Sequence, residues 1–95
     1  MRQVVCEAAT VATTDGATTV ASAGTKLYGI VLRDDGSNDA SVTIKDGTTT
    51  KLTYLLKATT TDCKEFNLPV PLKFTGNMVV TVTGTGADCD VLFGQ

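Results

Sequence analysis

The residues of this chain best suited to chemistry are carboxylates. Arg33-Asp34-Asp35-Gly36-Ser37-Asn38-Asp39 places three Asp and one Asn in a single stretch. Oxygen-rich loops of that composition can bind Ca²⁺, which takes about six to eight oxygen ligands. The ligand alternation of an EF-hand does not carry through, however, and no Glu closes the stretch. Asp, Gly, Ser and Asn are also the common residues of hairpin loops. The Asp34–Asp39 stretch therefore reads as a structural loop, with a weak cation site as the alternative. Asp88 and Asp90 fall in phase on one face of a predicted strand, turned to solvent or to a partner. As a glycosidase pair they lack a stacking surface for sugar, because the chain has no Trp and its aromatics are Tyr28, Tyr54, Phe66, Phe74 and Phe93.

Other chemistry has less to build on. The chain contains no His, which removes the commonest general base and the commonest neutral metal ligand. Ser22, Ser37, Ser41 and the cysteines are nucleophile candidates without an evident activating partner. Gly84-Thr85-Gly86 lies between two predicted strands, so it reads as a turn and not as a phosphate cradle. No catalytic residue, metal or cofactor is expected.

Net charge is −2 with a sequence pI near 4.8, and the Lys and Arg residues are scattered singly. The electrostatic footprint for nucleic acid or an anionic membrane is missing. Aromatics are also too few for stacking single-stranded nucleic acid. Charged residues make up 19% of the chain, against about 25% in ordinary soluble domains, and threonine fills much of the gap. A weakly charged surface points mildly to assembly. No stretch approaches the roughly 18–20 apolar residues of a membrane span, and the apolar run before Glu7 is too short for a signal peptide. Cys6, Cys63 and Cys89 form no CxxC pair. They read as small apolar side chains in a reducing compartment, with a Cys63–Cys89 cross-strand bond as the less favoured alternative.

The elements that must position these residues are strands. Apolar stripes at helical spacing are absent, whereas period two is common. Val42 and Ile44 alternate with Ser41, Thr43 and Lys45, and Leu52, Tyr54 and Leu56 with Lys51, Thr53 and Lys57. Met78, Val80 and Val82 alternate with Val79, Thr81 and Thr83, and Cys89, Val91 and Phe93 with Asp88, Asp90 and Leu92. Asp15-Gly16, Asp35-Gly36, Asp46-Gly47, Gly76-Asn77 and Gly84-Thr85-Gly86 punctuate them as turns. The pattern predicts seven to nine short strands, near residues 3–12, 18–22, 26–34, 40–46, 51–57, 62–68, 71–75, 78–83 and 88–93. Pro69 and Pro71 are expected to end one strand, which resumes at Leu72 as an edge or corner piece. In KLYGIVL both faces are apolar, which predicts a central strand covered on both sides or by a neighbouring subunit. Gly29 there allows close packing or a bulge. The fold class is all-β: an antiparallel β-sandwich or a small jelly-roll-like barrel. At 95 residues the chain is a single domain. Residues 1–25 read as Ala/Thr-rich strands or an extended arm, and residues 26–95 as the sandwich body.

Taken together, TKLYGIVL, ASVTIKDGTTT and LPVPLKFTGNMVVTVTGTGADCDVLFG resemble a recurring type of small all-β virion protein of tailed bacteriophages. The likeness covers about residues 25 to 94. It implies a structural protein without enzyme activity, of the capsid decoration or cement type. Such a protein stabilises the head by binding between capsomers, with the major capsid protein or another virion protein as partner. A homo-oligomer is implied, a trimer being favoured, located on the capsid surface after synthesis in the host cytoplasm. Arg2, Gln3, Val4 and Val5 are the residues expected to reach onto a neighbour. The competing readings are a phage tail or fibre component and a non-catalytic carbohydrate-binding or adhesin-like sandwich.

Overall fold

The computed structural model describes residues 6–57 and 63–94. Arg2, Gln3, Val4 and Val5, the expected partner-contacting residues, lie outside the described residues. Among the described residues eight strands are formed: β1 (Cys6–Ala12), β2 (Thr18–Ala21), β3 (Lys26–Arg33), β4 (Ala40–Asp46), β5 (Thr49–Leu56), β6 (Cys63–Lys73), β7 (Met78–Thr83) and β8 (Asp88–Gly94). A single 3-10 turn, Thr13–Asp15, joins β1 to β2.

The strands make two four-stranded sheets, ordered β1-β8-β3-β6 and β2-β7-β4-β5. We call them sheet A and sheet B. All six pairings are antiparallel. First pairs with last, second with seventh, third with sixth and fourth with fifth, as if one long hairpin had been rolled up. That nesting is the strand order of a jelly roll.

Alternation decides which side of each strand is buried. Ala40, Val42 and Ile44 of β4 and Met78, Val80 and Val82 of β7 point inward and are 2% exposed or less. Val11, Leu27, Ile30, Leu32, Phe74, Cys89 and Val91 complete the layer between the sheets. At one margin the Tyr54 and Phe66 rings stack with centroids 4.1 Å apart, closing the gap between β5 and β6. Leu55, which interrupts the alternation of β5, is left 53% exposed.

Two expectations are corrected. Pro69 and Pro71 do not end a strand, because β6 runs through them to Lys73. β6 is an edge strand, where a missing N–H donor is tolerated. Leu72 pairs with Leu27 and Asn67 with Gly29, so Leu68–Pro71 bulge out of the ladder, and Val70 stands 76% exposed between the prolines. The second correction concerns KLYGIVL. β3 is central and irregular at Gly29, both as expected, and its two-sided apolar pattern comes from that register shift between Leu27 and Gly29 and not from cover on both sides. Leu27 faces the core before the shift and Ile30 and Leu32 after it, leaving Tyr28 and Val31 half-buried on the outer side. Gly29 is required there: a Cβ would lie 3.0 Å from the Phe66 carbonyl oxygen and 3.1 Å from the Asn67 side chain.

The loops bind each other at both ends of the sandwich. At one end the Thr13 N–H donates to the Ala87 carbonyl at 3.0 Å, and its hydroxyl donates to the Gly84 carbonyl at 2.5 Å. Gly84, with φ of 121°, passes so close to Asp39 that any Cβ would collide with the Asp39 carbonyl oxygen. At the other end the Asp46 carboxylate accepts N–H bonds from Thr75 at 3.1 Å and Gly76 at 2.6 Å. The Gly24 and Phe74 amides there donate to the carbonyls of Phe74 and Thr25, each at 2.9 Å.

Candidate functional site

The outer face of sheet A gathers the charges. Arg33 on β3 faces Asp88 on β8, and one turn of alternation further lies Asp90. The Arg33 Nε donates to Asp88 Oδ1 at 2.6 Å, while its two terminal nitrogens donate to Asp90 at 2.8 and 3.0 Å. From β1 the Thr10 hydroxyl donates to Asp90 Oδ1 at 2.7 Å. These bonds hold the Asp90 carboxyl down at about 2 and raise the Arg33 guanidinium. Both acids expected to face solvent or a partner are therefore engaged across three strands by this chain's own groups. A carboxylate held this firmly by a fork of N–H donors is a poor proton acceptor.

Cys89 lies between them but points inward. It is a free, buried thiol, pushed up to about 12 chiefly by burial, and so is inert as a nucleophile. Cys63 pairs with Arg33 and Cys89 with Leu32, on opposite sides of β3. Two strand spacings of about 4.8 Å each separate them, beyond the roughly 7 Å that a disulfide spans.

The Asp34–Asp39 loop is held together in a similar way, except that Asp34 is buried and its Oδ2 has no hydrogen-bond partner among the described residues. Asp34 Oδ1 accepts the Gly36 N–H at 3.0 Å. Asp35 accepts the backbone N–H groups of Ser37 and Asn38 at 2.9 and 2.8 Å and the Asn38 side chain at 2.9 Å, which lowers its pKa. Asp39 meets Lys57 at 3.4 Å. Among the described residues no group of three or more His, Cys, Asp or Glu is placed to hold a metal ion. The serines are dispersed: Ser22 in the β2–β3 connection, Ser37 in the acidic loop and Ser41 on the outer side of β4. An open hollow of about 380 Å³ beside the 3-10 turn is lined mainly by Ala12, Thr13, Thr14, Thr85 and Ala87. Its one carboxylate, Asp88, is already paired with Arg33.

The outer face of sheet B has the opposite character. Register places Thr53, Thr43 and Thr81 side by side across β5, β4 and β7. The next row is Leu55, Ser41 and Thr83. On the other side Lys45 faces Val79, which faces Thr19. These rows hold hydroxyls and aliphatic groups, one Lys and no carboxylate. Sequence reading found each strand's alternation but not these rows, since period two names a residue's face and not its neighbour across the ladder. The same gap hid the Arg33 fork, although its charges stood in plain view.

No family model, curated protein or solved structure matches the chain.

Proposed function

We propose that this chain is a structural virion protein of a tailed phage, a decoration or cement protein that binds between capsomers on the outside of the head. The observation that carries the reading is the hydroxyl face of sheet B. Threonine presents hydrogen-bonding groups that need far less desolvation than Lys or Glu, so a broad Thr/Ser surface suits a flat, extensive contact. The jelly-roll strand order is shared by viral capsid and lectin domains. It supports the reading without carrying it, because fold alone does not determine function.

The mechanism is multivalent clamping. A closed homo-oligomer sets several copies of the same modest surface on neighbouring coat subunits, and avidity follows from repetition. No catalytic step is required of any residue.

The test is binding of the purified chain to assembled heads that lack it, to free coat subunits and to a glycan panel. Attachment to heads alone supports the proposal. Binding to glycans alone identifies a lectin-like module, and binding to neither overturns the assignment to the head.

A further inference from the structure

Sheets A and B expose four edge strands, and three are guarded. An exposed edge is a template for another strand unless it is short, bulged or interrupted by Pro or charge. β2 has four residues and an irregular register between Thr19 and Ala21. β5 carries a register shift opposite Ile44 and Lys45 that singles out Lys51. β6 has its two prolines and the Leu68–Pro71 bulge. β1 differs from all of these: it stays in unbroken register with β8 over seven residues, from Cys6 to Ala12. It contains no Pro, Lys or bulge, and after Glu7 its side chains are Ala, Thr and Val.

The direction of the free groups follows from one hydrogen bond. The Ala12 N–H is accepted by Asp15 Oδ2 at 2.8 Å, so it turns away from β8. In an antiparallel ladder alternate residues turn the same way, so the N–H and C=O groups of Thr10, Ala8 and Cys6 also point outward. Among the described residues no strand pairs with that side of β1. Asp15 closes the edge at Ala12, and among the described residues no group takes the outward N–H of Ala8 or Thr10.

We infer that β1 pairs antiparallel with β1 of a second copy, about a two-fold axis at Ala9, joining two four-stranded A sheets into one. Ala8 of each copy then stands opposite Thr10 of the other. Both residues turn their backbone groups outward, so hydrogen-bonded pairs flank the axis on either side. Glu7 meets Val11 of the other copy, which avoids like charges face to face, and the small side chains let the strands approach. A three-fold ring is heterologous and would need β1 to meet a different edge, and the other three are short, bulged or proline-bearing. The edges thus favour a two-fold pair over the trimer that the resemblance implies. This inference does not rest on the capsid reading.

Sedimentation equilibrium of the full chain, with amide hydrogen exchange, tests it. The expected mass is twice the 9.9 kDa of one chain, with slow exchange at Ala8 and Thr10 that becomes fast on dilution to monomer. Ala8→Pro removes an outward donor without touching the β1–β8 ladder, and is expected to weaken association at least about tenfold. A monomer at every concentration, a trimer indifferent to Ala8→Pro, or fast exchange at Ala8 and Thr10 in the wild type overturns the pairing. Should Ala8→Pro fail to fold, wild-type exchange decides alone: slow and concentration-dependent supports the pairing, fast overturns it. Loss of head binding with the dimer intact would count only against the capsid proposal.

Discussion

The outer faces of the two sheets are built on the same ladder geometry and do different work. On sheet A the polar groups answer one another: Arg33 is consumed by Asp88 and Asp90, and Thr10 by Asp90. On sheet B the rows Thr53–Thr43–Thr81 and Leu55–Ser41–Thr83 set like beside like, and no ion pair crosses them among the described residues. A face whose groups satisfy each other stabilises the fold and has little left to offer a partner. A face of weakly hydrated hydroxyls contributes less to the fold and is cheaper to cover. That contrast makes sheet B, and not sheet A, the face on which to test for a binding surface.

Mutations can break that contrast. The largest effect is expected from charging sheet B: Thr43→Lys with Thr81→Lys sets two cations directly opposite on the proposed contact surface. Head binding should fall at least about 100-fold, the equivalent of about 2.7 kcal/mol, in a co-sedimentation assay, while the far-UV spectrum stays that of the wild type. Unchanged binding would move the contact off sheet B.

On sheet A the effect should appear in stability instead. Arg33→Ala leaves Asp88 and Asp90 two residues apart on one face with no cation between them. Allowing for the screening of a partly exposed cluster, the expected loss is about 1–2 kcal/mol by urea denaturation, with head binding retained. The acid limb sharpens the same point. Asp90 titrates near 2 in the folded chain, below its ordinary 3.8, so the folded state binds fewer protons in that range. Its contribution is complete above about pH 5 and is lost as pH falls from about 4 through 2. Midpoints measured between pH 5 and 2 should drop less steeply in Arg33→Ala than in the wild type. The smallest effect is expected of Thr43→Val, which keeps shape and β-propensity on a half-exposed site and should shift stability by no more than about 0.5 kcal/mol.

Much of the fold was legible because the physics of a half-buried strand is written at period two. Residues 40–46 and 78–83 form β4 and β7 with the limits read from sequence, and Asp46-Gly47 is the turn that leads into β5. Reading failed where position in the sheet overrides a local rule. The edge and the bulge at Gly29 are legible, but not that β6 runs through Pro69 and Pro71, nor that the Gly29 shift sets Leu27, Ile30 and Leu32 on one face. The candidate site was less legible still. Arg33 and Asp90 stand 57 positions apart, and Thr43 and Thr81 meet only through the β4–β7 register. Composition announced the threonines, but only pairing arranges them into a surface.

The nested pairing has a consequence for how the chain acquires its shape. Cys6 pairs with Gly94 and Ala12 with Asp88, so the first strand finds its place only after the last has been made. β4 and β5, a tight hairpin, close the smallest loop and are suited to form early. Each outer pair must then close a longer one at a greater loss of chain entropy. β8 is the interior neighbour of both β1 and β3. Sheet A therefore cannot be completed until residues 88–94 lie between β1 and β3.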